Sequence, residues 1–238
     1  MRKAGKIEQA AIQAVARHFS ATVPEGREPA DTRLTLAGKR TALAVACIDS
    51  RPAQRAKTTQ PRLRFDRVAL RLVDDLRTAL SGSVSRGQTV LVTITAPIRL
   101  PARTATAIEE KIRKLVATRA APARLTHTIH GNEIQVHLLK GGTGRTARLI
   151  GFVHNPDSDP GILIDVARAL LARVGSGERT PGPRWLIVAS ENGAVPIEAC
   201  RHVCSQLGIG SVFERTLAVV PGGGVATLEG MDSRASRP

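Results

Sequence analysis

One stretch, residues 28–49 (EPADTRLTLAGKRTALAVACID), constrains the fold of this chain more than any other. A Pro-containing loop leads to a lone Asp31, then to a short strand-like segment (32–37), a Gly38-Lys39 turn and a longer apolar segment (40–48). A tight glycine turn between two such runs is a hairpin signal. In the second run a period of two places Ala42, Ala44, Ala46 and Ile48 on one face, with Thr41, Leu43, Val45 and Cys47 on the other. Both faces are apolar, as expected of a strand covered on both sides. The chain must therefore build a sheet interior around residues 40–48.

Helical and strand patterns alternate on either side of that hairpin. Residues 5–19 carry Ile7, Ala11, Val15 and Phe19 along one helical stripe, with Glu8 at its edge. Residues 65–80 form a second amphipathic helix with Phe65, Val68, Leu72 and Leu76 inward, and 104–117 a third with Ile108, Ile112 and Leu115 inward. The β-branched run 89–96 reads as a strand, residues 126–140 as a hairpin centred on Gly131-Asn132, 148–154 as another strand and 185–190 as a buried one. A helix over 161–174, another over 195–207 and two closing strands complete the order. No repeat or composition break interrupts it. The expected fold class is α/β, a single domain over residues 1–230 with a mixed central β-sheet flanked by helices, and a disordered tail at 231–238.

Composition narrows what covers and surrounds that sheet. Apolar residues make up 42% of the 238, but aromatics only 2%, and Tyr is absent, so the core is aliphatic. A net charge of +15 predicts attraction to polyanions, with nucleic acid the commonest of them. The plainer explanation is an Arg- and Ala-rich composition with solvated arginines. Cys47, Cys200 and Cys204 make no disulfide framework. No run approaches a membrane span or a signal peptide, so the expectation is a cytoplasmic protein with no membrane partner.

Glu8, Asp31 and the strand GKRTALAVACI, in a helix–hairpin order, resemble the metal-dependent PD-(D/E)xK nuclease superfamily, the restriction-endonuclease-like fold. The resemblance covers about residues 5–50. It implies one or two Mg²⁺ ions held by an Asp on the first strand and an acid on the next, with a Lys two residues on for the attacking water. That chemistry needs its side chains on one strand face, because the metal touches both carboxylates and a phosphate oxygen together. Here the acid position falls on Ala44 and the Lys position on Ala46. The expectation is a nuclease-like nucleic-acid-binding protein, catalytically weakened or inactive.

An active alternative uses a displaced set. Asp31 and Glu8 with Asp49 would hold Mg²⁺, and Arg51 would meet the transition-state phosphate. Asp49 has the opposite parity to Ala44, so this arrangement needs a bulge. Other readings are a basic interaction or scaffold protein, or an α/β enzyme of unrelated chemistry near Ser190 to Gly193.

The loop over residues 49–64 carries Arg51, Arg55, Lys57, Arg62 and Arg64 against Asp49 alone, and suits contacts to a nucleic-acid backbone, DNA in the first instance. Five neutralised phosphates would give a log–log salt slope of roughly −4 to −5. Few aromatics argue against stacking on single-stranded bases. Asp157 and Asp159 read as a helix approach, with Asp159 capping ahead of Pro160. Cys200, His202 and Cys204 cannot converge on one zinc from a helix, because His202 points round it. His127 and His137 could approach across their hairpin, depending on register. Residues 141–145 lack the ending of a phosphate loop and read as a turn.

Overall fold

A computed structural model describes residues 2–23, 33–36, 38–48, 67–118, 121–143, 146–154, 160–176, 182–190 and 195–230. The class is α/β with mixed strand directions, as expected. The strands are shared between two sheets, however, where the sequence suggests one central sheet. Apolar alternation marks a strand but does not say which sheet it joins. The chain forms two compact units, Met1–Arg51 with Asp165–Pro238, and Pro52–Ile164, so the second interrupts the first in sequence.

The first unit is built on a five-stranded sheet. Helix α1 (Arg2–His18) precedes the hairpin of β1 (Arg33–Leu36) and β2 (Lys39–Ile48). After the second unit, α4 (Gly161–Ser176) leads back to β7 (Arg184–Ser190), α5 (Ile197–Leu207), β8 (Arg215–Val219) and β9 (Val225–Gly230). The order β1-β2-β7-β8-β9 has three parallel strands (β2, β7, β8) bordered by antiparallel β1 and β9. The stripe of α1 packs as its spacing predicts: Ala11, Ile12, Val15 and Ala16 are buried against Leu34, Leu43, Val45, Trp185, Ile187 and Leu217. Helix α5 stops at Gly208, whose φ of 69° is the left-handed conformation that glycine adopts without a Cβ penalty.

The second unit carries a four-stranded sheet in the order β4-β5-β3-β6. Its elements are α2 (Arg67–Leu80), β3 (Gln88–Thr95), α3 (Pro101–Thr118), β4 (Ala123–Ile129), β5 (Asn132–Lys140) and β6 (Leu149–His154). Strand β3 pairs antiparallel with β5 and parallel with β6. Val90, Val92, Ile94, Ile134, Val136 and Leu138 pack with Ile108, Ile112 and Leu115 of α3 and Leu72, Leu76 and Leu80 of α2. The expectation for Val68 is corrected: it is 44% exposed, and the inward face of α2 is Leu72, Val73, Leu76 and Leu80. Phe65 lies outside the described residues. Gly151 on β6 lets α2 come close, since a Cβ there would lie 2.5 Å from a methyl of Val73.

The β4–β5 turn is His130-Gly131, with φ of 49° and 77°, one residue earlier than the sequence suggests. Asn132 is instead the first residue of β5 and is 1% exposed. Its Oδ1 accepts the N–H of Arg99 at 2.7 Å, and its Nδ2 donates to the carbonyls of Arg99 and Ile129 and to Thr104 Oγ1. Every hydrogen-bonding direction of this buried amide but one is used, which fixes the hairpin tip to the start of α3.

Candidate functional site

The expected site gathers around the β1–β2 hairpin. Strand β2 lies inside the sheet, between β1 and β7, and its register against β7 runs unbroken from Ala42–Arg184 to Ile48–Ser190. No bulge therefore intervenes before Ile48. Leu43 and Val45 belong to the core under α1, so Ala42, Ala44 and Ala46 share the opposite face. That much follows the period of two. Asp31, Asp49, Arg51, Arg55, Lys57, Arg62 and Arg64, and the tail 231–238, lie outside the described residues.

Glu8 is the one expected site residue that is described. Its Oε1 accepts a hydrogen bond from Nη2 of Arg173 on α4, and the two form an ion pair. With 15% of the Glu8 side chain and 34% of the Arg173 side chain exposed, the pair is sheltered enough for its charges to matter to each other. A carboxylate held in this way joins α1 to α4. To ligate a metal it would have to do so while held in that pair, or leave it.

Other candidates separate cleanly. In the β4–β5 hairpin His127 faces Ile134 and His137 faces Arg124. The two imidazoles are thus on opposite faces of the sheet and do not approach, so the register excludes that pairing. Cys200 and Cys204 are both buried on α5, while His202 is half-buried. Burial pushes the Cys200 thiol up to about 12 and raises that of Cys204 as well, so neither is a ready thiolate. Burial also lowers His202, disfavouring the imidazolium. Burial raises the Glu229 carboxyl, against a smaller opposing effect from the Gly210 N–H that donates to Oε2 at 3.0 Å. Asp157, Asp159 and residues 191–194 lie outside the described residues; Ser190 is the last residue of β7 and is buried. Thr143 N–H donates to Thr146 Oγ1 at 2.9 Å, the turn expected there. Among the described residues, no three His, Cys, Asp or Glu side chains group so as to hold a metal ion.

Cations that sequence reasoning passed over cluster at the start of the parallel strands. Arg184 lies 4.7 Å over the ring of Phe213. Arg215 lies 5.3 Å from the ring centre of Trp185 and 5.7 Å from that of Phe19. Phe19 and Trp185 meet edge to face at 5.0 Å. Such contacts favour a guanidinium over an aromatic face. Their only sequence signal is an Arg at the head of each strand, which becomes informative once the parallel partners are known. Comparison with protein-family models, with curated proteins and with solved structures gives no match.

Proposed function

We propose that the chain is a nuclease-like nucleic-acid-binding protein, restriction-endonuclease-like in its first part, that holds the backbone of DNA and has weak or no power to cut it. The observation that carries the partner is charge: 35 Lys and Arg against 20 Asp and Glu give +15. A surface of that sign concentrates phosphodiester polymers through counterion release, without reading sequence. Two features support loss of catalysis. Ala44 and Ala46 stand together on one strand face where an acid and a Lys would be needed, and Glu8 is engaged by Arg173. If metal chemistry survives, Asp31, Glu8 and Asp49 are the residues for Mg²⁺, with Arg51 on the phosphate. The reading places the protein in the cytoplasm; no helix among the described residues is long and apolar enough to cross a membrane.

Retention of a DNA duplex, followed as salt is raised, tests the reading. Binding should weaken steeply with salt, survive Asp31→Ala, and weaken when Arg62 and Arg64 become Ala. Cutting that depends on Mg²⁺ or Mn²⁺ and is abolished by Asp31→Ala would establish the active alternative instead. Absence of duplex binding at low salt would end both.

A further inference from the structure

Strand register brings together three arginines that are far apart in sequence. Arg33 of β1 pairs with Ala42 of β2, and Ala42 pairs on its other side with Arg184 of β7. Residues directly opposite one another share a face, so Arg33, Ala42 and Arg184 stand in a row across three strands. Neighbouring strands are about 4.8 Å apart, which places the outer two Cα atoms roughly 10 Å from one another. Arg40 precedes Ala42 by two on the same strand and therefore joins this face, about 7 Å along it. Thr35, opposite Arg40, completes the set. The three guanidinium-bearing positions surround one alanine, half-buried and with a side chain of one methyl.

Several facts make this more than a charged edge. Arg33 and Arg40 are exposed, and neither forms an ion pair among the described residues, while Arg184 is half-buried over Phe213. Pro183 accepts the Ala42 N–H at 3.0 Å, which fixes β2 against the start of β7 and hence the spacing of the row. Among the described residues the acid nearest in register is Glu214, exposed, whose N–H donates to the Arg184 carbonyl at 2.8 Å on the side away from Ala42. Exposed Arg33 and Arg40, diagonal neighbours across the β1–β2 pair, carry like charges that repel one another. A bound anion reverses that sign. Guanidinium forks suit phosphate oxygens in particular, because they bond two at a time in a plane. This is also the face that carries Ala44 and Ala46.

We propose that Arg33, Arg40 and Arg184, arranged around Ala42, form a phosphate-binding site for the nucleic-acid backbone. The proposal rests on the nucleic-acid reading above and locates its contact. The phosphate lies on the face where nuclease chemistry would take place, held by arginines at the end of β2 where that face is exposed; further along, Ala46 is buried.

Anisotropy titration of the full chain with a random-sequence 20-base-pair duplex, from 50 to 200 mM salt, tests it. Substituting Arg33→Ala with Arg40→Ala should make the log–log salt slope about 2 less negative. Over that fourfold range the fall in affinity would then be about twelvefold shallower. Arg33→Lys with Arg40→Lys should keep the slope near that of the unsubstituted chain, since the charge remains. Arg99→Ala with Arg103→Ala removes the same charge from exposed positions of the second unit and should change the slope by well under half as much. Circular dichroism of each variant confirms that the fold is intact. An unchanged slope in the Arg33/Arg40 variant, or an equal change in the Arg99/Arg103 variant, overturns the site while leaving duplex binding itself in place. No binding by the unsubstituted chain overturns the nucleic-acid reading, and the site with it.

Discussion

Arginine does different work in the two units. In the second, Arg148 donates to the carbonyls of Ser81 and Val84, Arg77 to that of Leu149, and Arg113 to that of Ala79 and to Glu109. These side chains fasten the ends of helices and strands whose carbonyls have no partner within their own element. In the sheet of the first unit, Arg33 and Arg40 project from the β1–β2 hairpin with no such attachment among the described residues. The first unit has its own fastened cations as well, in Arg173 to Glu8 and Arg201 to Glu198. A single figure for net charge therefore sums two populations, one holding the fold and one available to a ligand. Only the second should respond to salt as a binding surface does.

Stability measurements by denaturant unfolding can break or sharpen that contrast. The largest loss is expected from Asn132→Ala in the second unit, about 3 kcal/mol, because it removes together the bonds to the part-buried Arg99 backbone, the buried Ile129 carbonyl and Thr104 Oγ1. Gly151→Ala should follow at about 2 kcal/mol, since the new methyl would overlap the short, buried side chain of Val73. Arg148→Ala should cost about 1–2 kcal/mol through its two carbonyl contacts. Arg40→Ala should stay within about 0.5 kcal/mol, as for exposed substitutions generally. If Arg40→Ala costs as much as Arg148→Ala, the two populations are one.

The smallest effect is a pH dependence. The raised Glu229 carboxyl in the folded chain favours its protonated form. Its contribution is full below the ordinary carboxylate range and is lost as pH rises through the raised folded value. The unsubstituted chain should therefore gain stability relative to Glu229→Gln as the solution is acidified through that window. A difference between the two that is flat with pH would show that burial does not bias this group.

Element by element, the sequence is a good guide where the physics is local. The stripe of α1, the inward set of α3 and the shared face of Ala44 and Ala46 all follow from periods of 3.6 and 2, and the described residues hold them as read. Val68 fails because a helical stripe marks the first turn as well as the rest, and here Val68 is exposed while Leu72, Val73, Leu76 and Leu80 are buried. His127 and His137 were ambiguous because facing depends on register, which the two-residue turn His130-Gly131 settles. The site was legible only in part. That β2 takes β7 as its parallel neighbour depends on tertiary assembly, so nothing in residues 28–49 brings Arg184 beside Ala42. The basic loop over 51–64 was plain as composition, but composition carries no geometry.

The interruption of the first unit by the second has a consequence in time. During synthesis β2 leaves the ribosome before the strand that will lie alongside it, and the whole of the second unit is made in between. Its β4–β5 hairpin and its helix pair join residues closer along the chain, so they can close early, whereas the β2–β7 ladder must wait for a distant segment. Until β7 arrives, the apolar strand 40–48 has one open flank. The lysine and arginines of the hairpin are then its nearest protection against pairing with another copy.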